Sequence, residues 1–375
     1  MKVFNTGEII FNTYEVLELL NSGGMGNVYK VRHLKIPKIF AIKQLKLEQY
    51  KNLFIESFIS EISILRLIKH PNISKFYDSL YFNNNFFYVM EFIEGEDIKT
   101  YFRKNNDLSE EKILKYFIMS LNAIDYLHSR SIIHRDIKPS NIMVDFQNDS
   151  VKIIDFGISN FLNNNIIFVS PGYSPPEQYQ RLPPQPYNDI FSLGMTFLEI
   201  ISNIKPFEQK SNFDKELHKN YLEKATEKSK EKISDIFLRV LLKCVELDPS
   251  KRFQTISEII STLNKDNLKI DNAYLIEFNK YIEKVERISK NIEKIFQDTF
   301  AQNFMGYEIQ KSVDMMIIKI FDTNEISIFF IFDKQELLIY LVPSLSKGYL
   351  VEKVDLENID ENNILAKVLE LGGIV

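Results

Sequence analysis

Two runs of alternating apolar and polar residues flank Leu19-Leu20-Asn21-Ser22-Gly23-Gly24-Met25-Gly26-Asn27-Val28-Tyr29. They predict a strand pair joined by a glycine-bearing tip. Phe40-Ala41-Ile42-Lys43 reads as another strand, and residues 54–69 carry a helical pattern that places Glu61 one turn before Leu65. Tyr88-Val89-Met90-Glu91-Phe92-Ile93 is an apolar strand that breaks at Glu94-Gly95. Further on, Ile142-Met143-Val144 and Val151-Lys152-Ile153-Ile154 are apolar runs short enough for buried strands, and the second delivers Asp155 at its end.

Beyond residue 265 the pattern changes. Leu275, Phe278, Ile282, Val285, Ile292 and Phe296 recur near the spacing of a helical stripe, and Glu283 and Arg287 are placed for an i,i+4 pair. Residues 315–321, 326–332 and 337–342 then predict an antiparallel meander, with turns at Asp322-Thr323-Asn324 and Asp333-Lys334-Gln335 and a closing helix around Ile364 to Leu371. This is a small α+β module. Its apolar tracts are far shorter than the roughly 20 residues of a bilayer span. The helical stripe needs cover, either from the module's own meander or from a second copy of the helix, which would make a homodimer through residues 275–296.

The candidate chemistry lies between these parts. His134-Arg135-Asp136-Ile137-Lys138-Pro139-Ser140-Asn141 precedes Asp155-Phe156-Gly157 by a short interval that includes both buried strands. Phosphoryl transfer spreads negative charge over the moving group's oxygens, so it needs cations and alignment more than covalent help. Hard cations such as Mg²⁺ take oxygen ligands of the carboxylate and amide type. Together these motifs resemble those of the protein kinase family. The resemblance implies Asp136 as the base for the acceptor hydroxyl, Asn141 and Asp155 as Mg²⁺ ligands, and Lys138 as a γ-phosphate contact typical of the serine/threonine branch.

The resemblance extends from about residue 14 to 265. The glycine-rich tip is similar to the family's G-x-G-x-x-G-x-V, with Asn21 at the first glycine position and Gly23, Gly26 and Val28 kept. Ala41 and Lys43 match the segment whose lysine holds the α and β phosphates, and Glu61 is preferred over Glu56 as its carboxylate partner because of its distance to His70-Pro71. Glu91 and Ile93 would offer backbone groups to adenine, with Met90 behind it and Met143 also on the ATP site. Ser170-Pro171-Gly172-Tyr173-Ser174-Pro175-Pro176-Glu177 resembles the end of an activation segment of the bacterial type. Ser170 would touch Asp136 and Lys138, Asp189 would brace the catalytic loop, and Arg252 would pair with Glu177. Residues 158–169 hold Ser159 but no Thr, so no phosphothreonine is expected there, and the loop is expected to order without phosphorylation or through Ser170.

The implied architecture is α+β: a bilobal kinase fold over 14–265, with an antiparallel-sheet small lobe to about Ile93 and a helical large lobe. A 1–13 extension precedes it and the 266–375 module follows. Composition fits this reading. Of 375 residues 45% are hydrophobic and 26% charged, and the net charge of -5 offers no basic field for nucleic acid. The single Cys244 cannot form an internal disulfide and suits a reducing cytoplasm. Met1 to Gly7 lacks a signal-peptide core, and Lys2 stands where myristoylation needs glycine. The expected activity is transfer from Mg·ATP to a protein Ser or Thr. The rival is a kinase-fold scaffold that binds partners without catalysis, yet such scaffolds usually lose the equivalents of Lys43, Asp136 or Asp155, and all three are present.

Overall fold

The computed structural model describes residues 3–23, 26–45, 68–82, 85–105, 109–155, 169–207, 212–265, 273–300, 307–311, 315–320, 326–333, 336–343, 349–356 and 359–371. The expected 54–69 helix with Glu61, the loop at 158–168 and the turns at 322–324 and 334–335 lie wholly or mostly outside these residues. The small lobe is a six-stranded antiparallel sheet in the order β1-β2-β3-β4-β6-β5. Its strands are β1 (Ile9–Ile10), β2 (Tyr14–Gly23), β3 (Gly26–His33), β4 (Ile39–Leu45), β5 (Phe76–Phe82) and β6 (Asn85–Glu91). Register sorts its residues onto two faces. Val28 stands opposite Lys43, Lys43 opposite Tyr88, and Ala41 opposite Met90, so these share one face. Tyr29, Val31, Phe40, Ile42, Phe87 and Val89 occupy the other and form an apolar cluster. Phe4 and Phe11, within the expected 1–13 extension, pack on that cluster and make edge-on ring contacts with Tyr29 and Phe87.

The large lobe begins with β7 (Gly95–Asp97) and α1 (Ile98–Asn105), followed by α2 (Glu110–His128), capped by Ser109, whose hydroxyl accepts the Lys112 N–H. β8 (Ile142–Asp145) and β9 (Ser150–Ile153) form a hairpin beside β7. Then come α3 (Pro176–Tyr179), α4 (Pro186–Ser202), α5 (Lys215–Ser229), α6 (Asp235–Cys244) and α7 (Ile256–Lys265). A reciprocal capping box between Gln185 and Asn188 starts α4, and Asn203, left-handed at φ 57°, ends it. Nearly all of α4 is buried, which makes it the axle of the lobe. Cys244 is buried beside it, and burial pushes its thiol up to about 12, so it is an inert core residue.

The C-terminal module is larger than its sequence suggested. Five strands form a meander, β10 (Tyr307–Lys311), β11 (Met315–Ile320), β12 (Ile326–Asp333), β13 (Glu336–Pro343) and β14 (Tyr349–Asp355), covered by α8 (Ala273–Ile295) and α9 (Glu361–Leu371). The two unforeseen strands, β10 and β14, are edge strands whose polar residues weaken the apolar signal. Val285, Ile288, Ile292 and Phe296 of the α8 stripe pack on Met316, Ile318, Phe330 and Ile339 of the sheet. The module's own meander therefore supplies the cover for the stripe, and the homodimer reading of residues 275–296 loses its motive. Among the described residues no helix is long and apolar enough to cross a membrane.

The sheet's second face meets the small lobe. Ile36 packs with Phe329, Ile331 and Tyr340, and the His33 ring stands edge-on to Phe329, centroids 5.7 Å apart. A cavity of about 60 Å³ remains at this junction. On the other side of the module Glu286 of α8 pairs with Lys69. His33 Nδ1 accepts N–H bonds from Lys35 and Ile36, which fixes the turn carrying Ile36.

Burial pulls His33 and His218 down to about 4 and His70 to about 3, aided by nearby cationic side chains. An unfolded histidine sits at 6.5, so the unfolded chain takes up protons first as pH falls. These residues' contribution to stability is therefore intact above 6.5 and lost progressively toward pH 4. Urea midpoints measured across pH 8 to 4 are expected to hold steady above about 6.5 and then fall, and a flat profile would contradict neutral burial of these rings.

Candidate active site

The cleft lies under the face of the small-lobe sheet that bears Val28, Ala41 and Lys43. Gly26, at φ 152°, closes the β2–β3 tip, and a Cβ there would stand 2.0 Å from the Gln44 carbonyl oxygen. Only glycine fits. Asn21 sits in strand backbone opposite Val28, next to a bulge, and makes no left-handed turn. Gly23 has open space around it. Met90 and Glu91 end β6, Ile93 is buried two residues later, and Met143 lies across from Lys152 in the β8–β9 hairpin that floors the cleft.

The catalytic loop hangs from one buried carboxylate. Asp189, in the first turn of α4 and fully buried, accepts the His134 and Arg135 N–H groups and the His128 Nε2–H, each at 2.8 Å. Burial opposes its charge, but these donors outweigh that and hold its carboxyl below the ordinary range. The bonds hold Arg135 left-handed at φ 65°, a backbone state that costs a non-glycine residue about 1 to 2 kcal/mol. His134 is kept neutral by burial. Its Nδ1 accepts the Asp136 N–H at 3.3 Å, so Nε2 carries the proton and donates to Ile154 O at 3.2 Å. The loop and the strand leading to Asp155 are thereby joined.

Asp136, Lys138, Asn141 and Ser170 converge. The Lys138 ammonium donates to both Asp136 oxygens at 3.0 and 2.8 Å and to Ser170 Oγ at 3.1 Å. The Ser170 hydroxyl donates to Asp136 Oδ1 at 2.5 Å. Asn141 spends its amide hydrogens on Asp136 O and Oδ2, at 2.7 and 2.9 Å, which leaves its side-chain oxygen turned elsewhere as an acceptor. Lys43 pairs with Asp155 at 2.5 Å across the cleft. Glu61, the carboxylate expected for Lys43, lies outside the described residues. Asp155 is itself left-handed at φ 55°.

Arg252, with no exposed side-chain surface, donates to Glu177 Oε1 at 2.7 Å and to the Tyr187 and Glu246 carbonyls. Four contacts had no sequence signal because their partners are far apart in the chain. Gln178 Nε2 donates to Arg135 O at 3.1 Å, Asn72 Nδ2 donates to Val151 O at 2.8 Å, and buried Glu199 takes the Lys99 ammonium at 2.6 Å and the Tyr173 hydroxyl.

A match to the protein kinase domain family spans residues 14–263. The chain belongs to the protein kinase family. It is similar to the probable serine/threonine-protein kinase nek1 of Dictyostelium discoideum, 29% identical over 84% of this chain and 70% of that protein. Serine/threonine-protein kinase PrkC of Bacillus subtilis is 28% identical over 79% of this chain, and a probable serine/threonine-protein kinase of Clostridium perfringens is 31% identical over 69%. This kinase chain spans 46% and 39% of the length of those two bacterial relatives. In fold it matches the Mycobacterium tuberculosis PknI kinase domain, with a TM-score of 0.54 at 21% identity, covering 70% of this chain and 99% of that one. Rad53 in complex with AMP-PNP gives a TM-score of 0.55 at 22% identity, over 67% and 65%.

Removing Glu177 would leave the Arg252 charge buried without its carboxylate. Glu177→Ala is expected to cost about 3 to 5 kcal/mol in urea unfolding. A loss near zero would mean that this pair does not hold the activation segment to the lobe.

Proposed function

We propose that the chain is an active serine/threonine protein kinase that transfers the γ-phosphoryl group of Mg·ATP to a protein hydroxyl. The single observation that carries this reading is the Asp136–Lys138–Ser170–Asn141 cluster. A carboxylate, a cation and a hydroxyl meet there within hydrogen-bond distance, at the mouth of a cleft whose far wall presents Lys43. The Ser170 hydroxyl against Asp136 has the geometry an acceptor hydroxyl needs for its proton to be taken. Lys138 is then placed to stabilise charge on the moving phosphoryl oxygens. Catalytic work falls on unit 14–265, and 266–375 is an accessory module.

The nucleotide would lie between Val28, Ala41 and Met143, its adenine on the backbone of Glu91 and Ile93 with Met90 behind and its phosphates toward Lys43. The donor set suits Mg²⁺, because Asp155 supplies a carboxylate and Asn141 an amide oxygen that accepts only a long 3.5 Å bond from the Ser140 hydroxyl while both amide hydrogens bind Asp136. When bound there, Mg²⁺ would offset phosphate charge and align the transferring group. Asp136 orients the acceptor and receives its proton, Asn141 fixes Asp136, and His134 keeps Asp136 in step with Asp155. The inert Cys244 is compatible with a reducing cytoplasm.

Purified protein incubated with labelled ATP, Mg²⁺ and a generic Ser/Thr acceptor should transfer label. Asp136→Asn is expected to slow turnover by about 10² to 10⁴ with ATP binding nearly unchanged, since the base acts on the acceptor. Asp155→Asn should weaken Mg·ATP binding as well. Near wild-type turnover in Asp136→Asn would remove the base assignment.

A further inference from the structure

At the back of the cleft a carboxylate from one lobe meets an ammonium from the other. Glu91 ends β6, at the point where the chain leaves the small lobe, and Lys152 lies on β9 of the large lobe, three residues before Asp155. Lys152 Nζ stands 3.0 Å from Glu91 Oε1 and 3.1 Å from Oε2. Both side chains are largely hidden, 8% and 20% exposed respectively. A pair this far from water is screened weakly, and breaking it strands a charge.

The surrounding backbone makes the pair part of a rack. Lys75 N–H donates to Glu91 Oε2 at 3.1 Å, and Glu91 N–H donates to Lys75 O at 2.8 Å. The same segment is stitched to β9: Ile153 N–H reaches Asn72 O at 2.8 Å, Ser74 N–H reaches Ile153 O at 2.9 Å, and the Asn72 amide holds Val151 O. Residues 72–75 are thus bonded to the end of β6 on one side and to β9 on the other. Lys152 also stands opposite Met143 in the hairpin register, on the face that floors the cleft.

We propose that Glu91 and Lys152 are positioning residues for the nucleotide, and that their ion pair sets the distance between the adenine-binding backbone at Glu91–Ile93 and the carboxylate of Asp155. The pair joins the two side chains, while adenine would meet the backbone of Glu91. It acts by making the two ends of the nucleotide site one rigid unit, so adenine and the phosphates are held at a fixed spacing. The two ends belong to different lobes, and where Lys43 meets Asp155 at the phosphate end, the 72–75 segment and this ion pair tie the adenine end of the site to β9. The inference rests on the kinase reading of the cleft.

The test uses the full chain and reads nucleotide binding directly, by displacement of a fluorescent ATP analogue, together with turnover. Glu91→Gln and Lys152→Met should each weaken ATP binding about tenfold, raising KM much more than they lower kcat. The double variant should be no weaker than the worse single one, because the effects belong to one interaction. Lys152→Arg keeps the charge and should restore near wild-type affinity. If Lys152→Met fails to fold, Glu91→Asp, one methylene shorter, serves in its place and should raise KM with an unchanged melting temperature. Wild-type affinity in both single variants, or additive losses in the double, overturns the proposal. A lowered melting temperature with unaltered KM also overturns it, since that is the signature of a merely structural pair. A wild-type chain that binds the analogue but transfers no phosphate would count against the kinase reading while leaving the binding comparison valid.

Discussion

Asp189 carries a charge with no access to water, and the geometry of the catalytic loop depends on how that charge is satisfied. Its oxygens are filled by two consecutive backbone N–H groups and one imidazole, and the chain presents those two N–H groups together by turning left-handed at Arg135. That turn aims His134 inward and Asp136 toward the cleft. An uncompensated carboxylate in this position would cost several kcal/mol, so the loop has little freedom to do otherwise. The strain at Arg135 is small beside that penalty.

From this anchor the site is built by bonds that cross between distant parts of the chain. His134 ties the loop to Ile154, Lys138 and Ser170 tie it to the activation segment, and Gln178 ties that segment back to Arg135. Arg252 and Glu177 lock the segment's end to the lobe. Across the cleft, Lys43 meets Asp155, and Glu91 meets Lys152. The C-terminal module adds weight on the far side of the small-lobe sheet, where Phe329, Ile331 and Tyr340 pack on Ile36 and His33 lies edge-on to Phe329. All these restraints are made by the chain's own residues.

The bilobal fold could be read from the sequence because the kinase motifs are contiguous and occur in one order. His134 to Asn141 and Asp155 point to a loop between known kinds of strand, and α4 announces itself by Asp189 within an apolar run. The module was harder. β11, β12 and β13 alternate or run apolar and were legible, whereas β10 and β14 at the sheet's edges present polar residues to water and gave no periodic signal. The α8 stripe was visible, but its partner was not, because apolar periodicity states that a face must be covered without saying by what. Glu199, Gln178, His128 and Lys152 went unnoticed for a related reason. Each acts through a partner between 43 and 100 residues away, and spacing along the chain cannot reveal such pairs.

If the loop is held by Asp189 and its neighbours, it needs no phosphate to assemble. The direct measurement is the initial rate of phosphate transfer by protein that a phosphatase has stripped and intact-mass spectrometry has shown to be phosphate-free. The account predicts transfer to a generic Ser/Thr acceptor at once, without a lag. An inert stripped protein that gains activity only after it is phosphorylated would contradict it.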